Sequence, residues 1–331
     1  MHKSKILGTG TFFPKKILTN DDLSKMVDTN DEWIYERTGI KQRHISSTEG
    51  GEFPSDMAYH ATKVALKEAN LEPDDIDFIL LSTATPEYKL PSTSTVLQTK
   101  LGITTKCGSL DIAAACSGWI YGLNMAQAMI AVGMYKNILV VGSEMLSTAV
   151  DWEDRTTCIL LGDGAGAAIV GRTPEGEDSE ILGTFLAADG TGKEFFEQTV
   201  GGAAIPITPE HIEKRQQFMT MKGREMFKVA TRTLADNSKK VIEQAGMTLN
   251  DIDWIIPHQA NQRIIETTAK LLDLSMDKII MNIRDYANTS TATIPTAFHQ
   301  AVQEGKIKRG DIILLTTFGA GLTSGATLLR Y

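Results

Sequence analysis

The sequence predicts an α/β protein built from two related halves, and three observations carry that reading. Short apolar runs alternate with helical patterns, one segment occurs twice, and chemically able residues stand just after the apolar runs. Runs such as Phe78-Ile79-Leu80 and Ile138-Leu139-Val140-Val141 are too short for helices, and helix-period stretches lie between them. That alternation implies parallel sheets covered by helices.

The repeat supports the two halves. Glu68-Ala69-Asn70-Leu71-Glu72-Pro73-Asp74-Asp75-Ile76-Asp77 is matched by Gln244-Ala245-Gly246-Met247-Thr248-Leu249-Asn250-Asp251-Ile252-Asp253, each a helix end and acidic turn before an apolar run. Asn137-Ile138-Leu139-Val140 and Asp311-Ile312-Ile313-Leu314 repeat in nearly the same register. We expect a pseudo-dimer with halves at 1–180 and 181–331. The Gly-, Thr- and Pro-rich stretch 188–209 is the expected connection and mobile surface.

Composition narrows the class. A chain of 331 residues with 42% hydrophobic and 22% charged residues can bury a large core. Its three cysteines, at 107, 116 and 158, form no paired spacing, which argues against a disulfide framework or zinc site and for a reducing, cytoplasmic setting. No apolar run is long enough to span a bilayer, and the glycines at 8 and 10 interrupt any apolar signal region. A net charge of −8 disfavours nucleic acid, so an anionic partner needs a local basic patch.

The nucleophile candidate is Cys116, in Ser109-Leu110-Asp111-Ile112-Ala113-Ala114-Ala115-Cys116-Ser117-Gly118, where a strand-like run gives way to a helical pattern. A thiol at a helix N-terminus meets unpaired N–H groups and the positive end of the dipole, which favours thiolate. His258 follows Ile255-Ile256-Pro257, and Asn288 stands in Tyr286-Ala287-Asn288-Thr289-Ser290. Reacting groups in α/β sheets gather beyond the carboxyl ends of strands, so Cys116 of one half can face His258, Asn288 and the loop Gly319-Ala320-Gly321 of the other. The trio suggests thioester chemistry. Cys107 and Cys158 are expected to be inert small hydrophobes, and His44, His60, His211 and His299 to be structural.

Trp33 and Arg37 are four residues apart in a short segment that Gly39 can cap, so they share a helix face. Arg224, Lys228 and Arg232 recur every four residues on a predicted helix, with Lys222 nearby and Arg263 beyond the His258 motif. Each set also has a bland reading, a surface Trp on an Arg stem and a solvated helix face. Gly162-Asp163-Gly164-Ala165-Gly166 lacks the ending of a phosphate loop and reads as close backbone packing.

In order along the chain, Gly8-Thr9-Gly10, Asn30-Asp31-Glu32-Trp33-Ile34, Arg37-Thr38-Gly39-Ile40, Asp111 to Gly118, Gly162 to Gly166, Pro257-His258-Gln259-Ala260-Asn261, Asn288-Thr289-Ser290 and Phe318-Gly319-Ala320-Gly321 resemble β-ketoacyl-acyl-carrier-protein synthase III, a thiolase-like condensing enzyme family. The resemblance implies a thiolase-like, five-layer αβαβα sandwich. It further implies an acyltransferase, in which an acyl-CoA primer acylates Cys116 and malonyl-acyl carrier protein then loses CO₂ and attacks the thioester. CoA and carrier phosphopantetheine are substrates in that scheme, with no cofactor and no metal, and the family expectation is a homodimer.

The same resemblance assigns further residues. The backbone of Cys116 and Ala320 forms the oxyanion hole, and His258 and Asn288 stabilise the enolate. Thr29, Trp33, Arg37, Arg155, Phe227 and Asn261 meet CoA. Gln259, Ala260, Asn261, Gln262, Arg263, Lys228 and Arg224 meet the carrier protein, although the family often has a small amide residue where Arg224 stands. Leu90, Leu146 and Ile159 shape the acyl pocket, Leu90 from across a dimer interface. Asn288 suits decarboxylating condensation, because a carboxylate there would repel an enolate, and no second cysteine occupies the C-terminal glycine loop as it does in degradative thiolases. The alternatives are a condensing enzyme of secondary metabolism, a Cys/His/Asn hydrolase and a degenerate binding protein; the duplication and the intact trio disfavour the last two.

Overall fold

The computed structural model describes all 331 residues, Met1–Tyr331, and builds them around two large sheets with helices outside and between them, beside two small two-stranded sheets. The first sheet runs Ser4–Phe12, Gly164–Arg172, Asn137–Glu144, Phe78–Ser82, Gly108–Ile112 from edge to edge. The second runs Glu180–Ala188, Thr323–Arg330, Ile312–Gly319, Trp254–Pro257, which repeats the first four positions. A parallel bridge between Ile255 and Ile279 stands where the fifth strand would be.

The expectation of parallel sheets is corrected. Phe78–Ser82 is parallel to both neighbours, and Trp254–Pro257 is parallel to Ile312–Gly319, but Gly164–Arg172 and Thr323–Arg330 run antiparallel to the strands on either side. Helices cover both faces of each sheet, so burial sets the apolar pattern of the strands and their direction leaves no mark in it.

Five layers result. Pro54–Ala69 and Thr93–Leu101 cover the first sheet, Gly118–Ala131 and Thr293–Gln303 lie between the sheets, and Gly223–Gln244 and Gln262–Leu271 cover the second. The central helices bury residues against both sheets: Trp119, Ile120, Leu123 and Phe298 join Val140 of one sheet and Leu315 of the other in the largest apolar cluster. Each such side chain contributes about 1.5–3 kcal/mol through burial. Gly122 lets the first central helix lie close to its sheet, since a Cβ there would stand 2.7 Å from a Val140 methyl. No helix is long and apolar enough to cross a membrane.

The connection between halves is also corrected. The chain leaves the first sheet at Arg172 and enters the second at Glu180, so the crossover is 173–179. The 188–209 stretch instead contributes Phe196–Glu197, paired with Thr220–Met221 beside the central cavity. Its glycines and prolines signalled irregular backbone but could not say where that backbone goes.

Candidate active site

The strand Gly108–Ile112 ends just before Ala115, which takes a left-handed φ of 45°, and the turn Ala115–Ser117 delivers Cys116 to the start of helix Gly118–Ala131. This turn is tied to the other half. The Trp119 N–H donates to Thr291 Oγ1 at 2.9 Å, the Thr317 hydroxyl donates to the Cys116 carbonyl at 3.1 Å, and the Thr323 hydroxyl reaches the carbonyls of Ala114 and Ala320. Gly319 makes the approach possible, because a Cβ there would sit 2.9 Å from the Cys116 nitrogen and 3.2 Å from its Cβ.

His258 follows the parallel strand Trp254–Pro257, and its N–H extends the sheet by donating to the Thr316 carbonyl at 2.8 Å. Its Nδ1 lies 2.7 Å from Thr293 Oγ1, which leaves Nε2 for the cavity that His258 lines. The Thr293 hydroxyl, also 3.0 Å from the Ser290 carbonyl, has one proton for two acceptors. Donated to Nδ1, it makes Nε2–H the donor; donated to Ser290, it makes Nε2 a lone pair.

Asn288 is fixed by its own backbone pairing with Leu160 and Gly162 and by the Ser290 N–H, which donates to Asn288 Oδ1 at 2.8 Å. Only the oxygen can accept that bond, so Nδ2 keeps both of its protons for other partners. Ser290 itself is a buried non-glycine at φ 51°.

Burial dominates the electrostatics. It pushes the Cys116 thiol up to about 12, with the nearby Glu144 carboxyl adding to the rise and the Ser290 hydroxyl opposing it. It pushes His258 down to about 3. Burial thus opposes the thiolate that the helix start favours and keeps the imidazole toward its neutral form.

Cys116, His258, Asn288, Phe318, Gly319 and Ala320 line one cavity of about 170 Å³. Phe227 and Asn261 line it too, and both recur with Arg37, Arg224, Lys228 and Arg263 in a basic opening at the surface. A second lobe of about 260 Å³ also touches Cys116, Asn288 and Ala320 and is walled by Leu146, Leu161 and Met219.

Family models agree with this arrangement. The model described as 3-oxoacyl-[acyl-carrier-protein (ACP)] synthase III matches residues 110–190, and that for its C-terminal part matches 242–331. A β-ketoacyl-[acyl-carrier-protein] synthase III of Caldanaerobacter subterraneus is 48% identical over 98% of this chain and 97% of its own. One from Thiobacillus denitrificans is 47% identical over 100% of both. The chain belongs to the β-ketoacyl-[acyl-carrier-protein] synthase III family. A crystal structure of the Aquifex aeolicus synthase III superposes with TM-score 0.91 at 47% identity, covering 99% of this chain and 100% of that one. A priming β-ketosynthase from a polyketide biosynthetic pathway superposes with TM-score 0.91 at 30% identity, covering 99% of this chain and 96% of its own.

Within this synthase III framework the remaining candidates fall in three groups. At the opening, Arg224, Lys228 and Arg263 are exposed, and Asn261 caps helix Gln262–Leu271 while its Nδ2 donates to the Arg37 carbonyl at 3.0 Å. Arg37 and Arg155 stack on Trp33 at 4.4 and 5.2 Å, so a planar ligand must displace a guanidinium to reach the indole at those positions. Thr29 lies near them in the chain, with a buried hydroxyl that has no hydrogen-bond partner. Ala260 lines the inner cavity.

Others are placed differently from the sequence reading. Gln259 is fully buried, its Nε2 donating to the Pro257 carbonyl at 2.6 Å and its Oε1 accepting from Asn282 N–H, so it cannot meet a carrier protein. Gln262 is half-buried against Gly39 and donates to Glu266. Ile159 is buried with Leu23 and Ile34 and does not line the two lobes at Cys116; Leu146 lines the second. Leu90 is 88% exposed and lies outside both lobes of its own chain, a position compatible with the expected reach across a dimer interface. The sequence reading missed Ser290, Thr293 and Glu144. For Glu144 a signal existed: a carboxyl closes a strand whose run Ile138-Leu139-Val140-Val141 is apolar.

Proposed function

We propose that this chain carries out the decarboxylating condensation of an acyl-CoA primer with malonyl-acyl carrier protein, and that Cys116 holds the acyl group between the two half-reactions. The observation that carries the reading is the shared cavity: Cys116, His258 and Asn288, drawn from both halves, meet at its base, and it runs past Phe227 and Asn261 to a ring of cations.

Each residue has a task set by its chemistry. Cys116 attacks the thioester and later leaves, which suits a thiol and not a hydroxyl. The tetrahedral oxyanion is met by the N–H groups of Cys116 and Ala320, each worth roughly 3 kcal/mol in sites of this type. CoA departs as the thiol. Malonyl-carrier protein then enters, its C–CO₂ bond breaks, and the enolate oxygen is held by Asn288 Nδ2–H and His258 Nε2–H while its carbon attacks the acyl-cysteine. Burial of His258 suits this step, since a neutral ring donates without adding charge. Every bond made and broken is accounted for by the two thioesters, so the scheme needs no cofactor and no metal.

Arg224, Lys228 and Arg263 suit an acidic carrier, and Trp33, Arg37, Arg155 and Thr29 suit the nucleotide end of CoA. The lobe at Leu146 takes the acyl chain. The protein works in the cytoplasm as a homodimer, where the exposed Leu90 meets the partner subunit. Mass spectrometry after incubation with acetyl-, isobutyryl- and octanoyl-CoA tests the scheme: an acyl mass on Cys116 is expected with at least one, and absence of any adduct on the folded protein overturns it.

A further inference from the structure

The two N–H groups assigned to the oxyanion stand on different halves of the molecule. Cys116 belongs to the turn Ala115–Ser117, and Ala320 to the loop 320–322 between strands Ile312–Gly319 and Thr323–Arg330. One side chain is hydrogen-bonded to both segments. Thr323 Oγ1 lies 2.9 Å from the Ala114 carbonyl oxygen and 3.2 Å from that of Ala320, so its single proton is shared across the junction of the halves. No other side-chain bond reaches both, since Thr317 holds only the Cys116 carbonyl, at 3.1 Å.

These bonds act on the peptide planes beside the donors. Ala115 takes a φ of 45°, which a residue with a Cβ resists, and the peptide after it carries the Cys116 N–H. The planes before and after that peptide are pinned through their carbonyls, Ala114 by Thr323 and Cys116 by Thr317. The far end of the loop is held without Thr323, because Leu322 exchanges both backbone bonds with Asp189, at 2.8 and 2.9 Å. The Ala320 end has the Thr323 hydroxyl as its side-chain tether. Thr323 is itself fixed by its strand, in register with Gly319 on one side and Ala188 on the other. Its hydroxyl can therefore be removed with the sheet intact, and the Ala114 carbonyl would still accept from the Ser117 N–H at 3.1 Å.

We propose that Thr323 is a positioning residue of the oxyanion hole, its hydroxyl setting the distance and relative aim of the Cys116 and Ala320 N–H groups. The inference rests on the acyl-enzyme scheme above. A tetrahedral oxyanion forms twice in that scheme, when Cys116 attacks the acyl-CoA thioester and when the enolate carbon attacks the acyl-cysteine. Both steps need two donors aimed at one point, and a hydrogen bond weakens steeply with misalignment. The enolate formed by loss of CO₂ depends instead on Asn288 and His258. Thr323 lines neither lobe at Cys116 and acts only through the two backbone segments.

The test compares two reactions of the same sulfur. Acylation by acetyl-CoA passes through an oxyanion; alkylation by iodoacetamide displaces iodide and passes through none. Thr323→Val is expected to slow single-turnover acylation about 10- to 100-fold, less than the loss of a whole donor, because both N–H groups remain but are misaimed. The acetyl-CoA concentration at half-maximal rate is expected to stay within about twofold, since the oxyanion forms only beyond the ground state. Alkylation, and CO₂ release from malonyl-carrier protein, are expected within about threefold of the parent, because neither uses these donors. Thr323→Ser keeps the hydroxyl and is expected to recover most of the acylation rate, and Thr323→Ala replaces the valine variant if that chain does not fold. Near-parental acylation without the hydroxyl, a serine variant as slow as the valine one, or acylation and alkylation lost in equal measure would overturn the proposal. Failure of the unmodified enzyme to form any acyl adduct would sink the acyl-enzyme scheme itself, and the positioning role with it.

Discussion

The Ser290 N–H donates to Asn288 Oδ1 at 2.8 Å, and this bond decides which end of the amide is free. A carboxylate at 288 would accept the same bond and keep the fold, yet offer no donor. Asn288→Asp is therefore expected to leave Cys116 acylation within a few-fold of normal while slowing decarboxylation by about 10²–10³, the usual effect of losing a donor to a developing oxyanion. Adduct formation by mass spectrometry and CO₂ release from malonyl-carrier protein separate the two half-reactions.

Thr293 bonds His258 Nδ1 at 2.7 Å in a fully buried setting. Thr293→Val keeps the shape and strips the hydroxyl, leaving the ring without its partner at a cost of about 1–3 kcal/mol. Condensation is expected to slow about 10- to 100-fold, with Thr293→Ser recovering most of it and the melting temperature of the serine variant near the parent's. Equal losses in the valine and serine variants would show that packing, not the hydroxyl, matters.

These dependencies explain what was legible in the sequence and what was not. Cys116, His258 and Asn288 stand in short motifs where residue type and position after a strand both point to chemistry, the two related halves follow from the duplication, and the five-layer arrangement is implied by the family resemblance. Ser290 and Thr293 lie in a run with Thr289, Thr291 and Thr296, where five hydroxyls look alike until the left-handed φ of Ser290 separates them. Gln259 reads as a polar surface residue beside Asn261, and only the fold shows it bridging the Pro257 carbonyl and Asn282. Ile159 next to Leu160 gave no clue to which of the two faces the cavity; Leu160 does.

Close packing at the nucleophile turn gives a stricter test. A methyl at Gly319 would meet the Cys116 nitrogen at 2.9 Å, backbone against a turn that three threonine hydroxyls also hold. Gly319→Ala must therefore move the turn or the loop by several tenths of an ångström. Acylation is expected to fall at least 10²-fold, out of proportion to any loss of melting temperature, since a small misplacement of reacting atoms has that effect. Near-normal acylation would mean that the oxyanion donors tolerate displacement.

The basic opening should matter to one substrate more than the other. Arg263 and Lys228 are exposed and share the opening with Arg224 and Arg37, in a chain whose net charge is −8. Reversing two of them, Arg263→Glu with Lys228→Glu, is expected to raise KM for malonyl-carrier protein at least tenfold at low salt, with the gap narrowing as salt screens the exposed charges. Folding and acylation by a CoA-free thioester such as acetyl-pantetheine should be little changed. Equal losses with both substrates would assign these cations to structure.

Glu144 also couples stability to pH. Its folded-state carboxyl is raised from 4.5 to about 7, so between those values the folded chain binds the proton more tightly than the unfolded one, and stability falls as pH rises. The full effect is roughly 3 kcal/mol and is reached above pH 7. His258, lowered from 6.5 to about 3, acts oppositely and loses stability as pH falls, but it is common to parent and variant and cancels in their difference. Glu144→Gln should therefore gain on the parent as pH rises from 4.5 to 7.5, read as a widening difference in melting temperature. A difference that stays flat across that range would place the carboxyl's titration in the ordinary acid range.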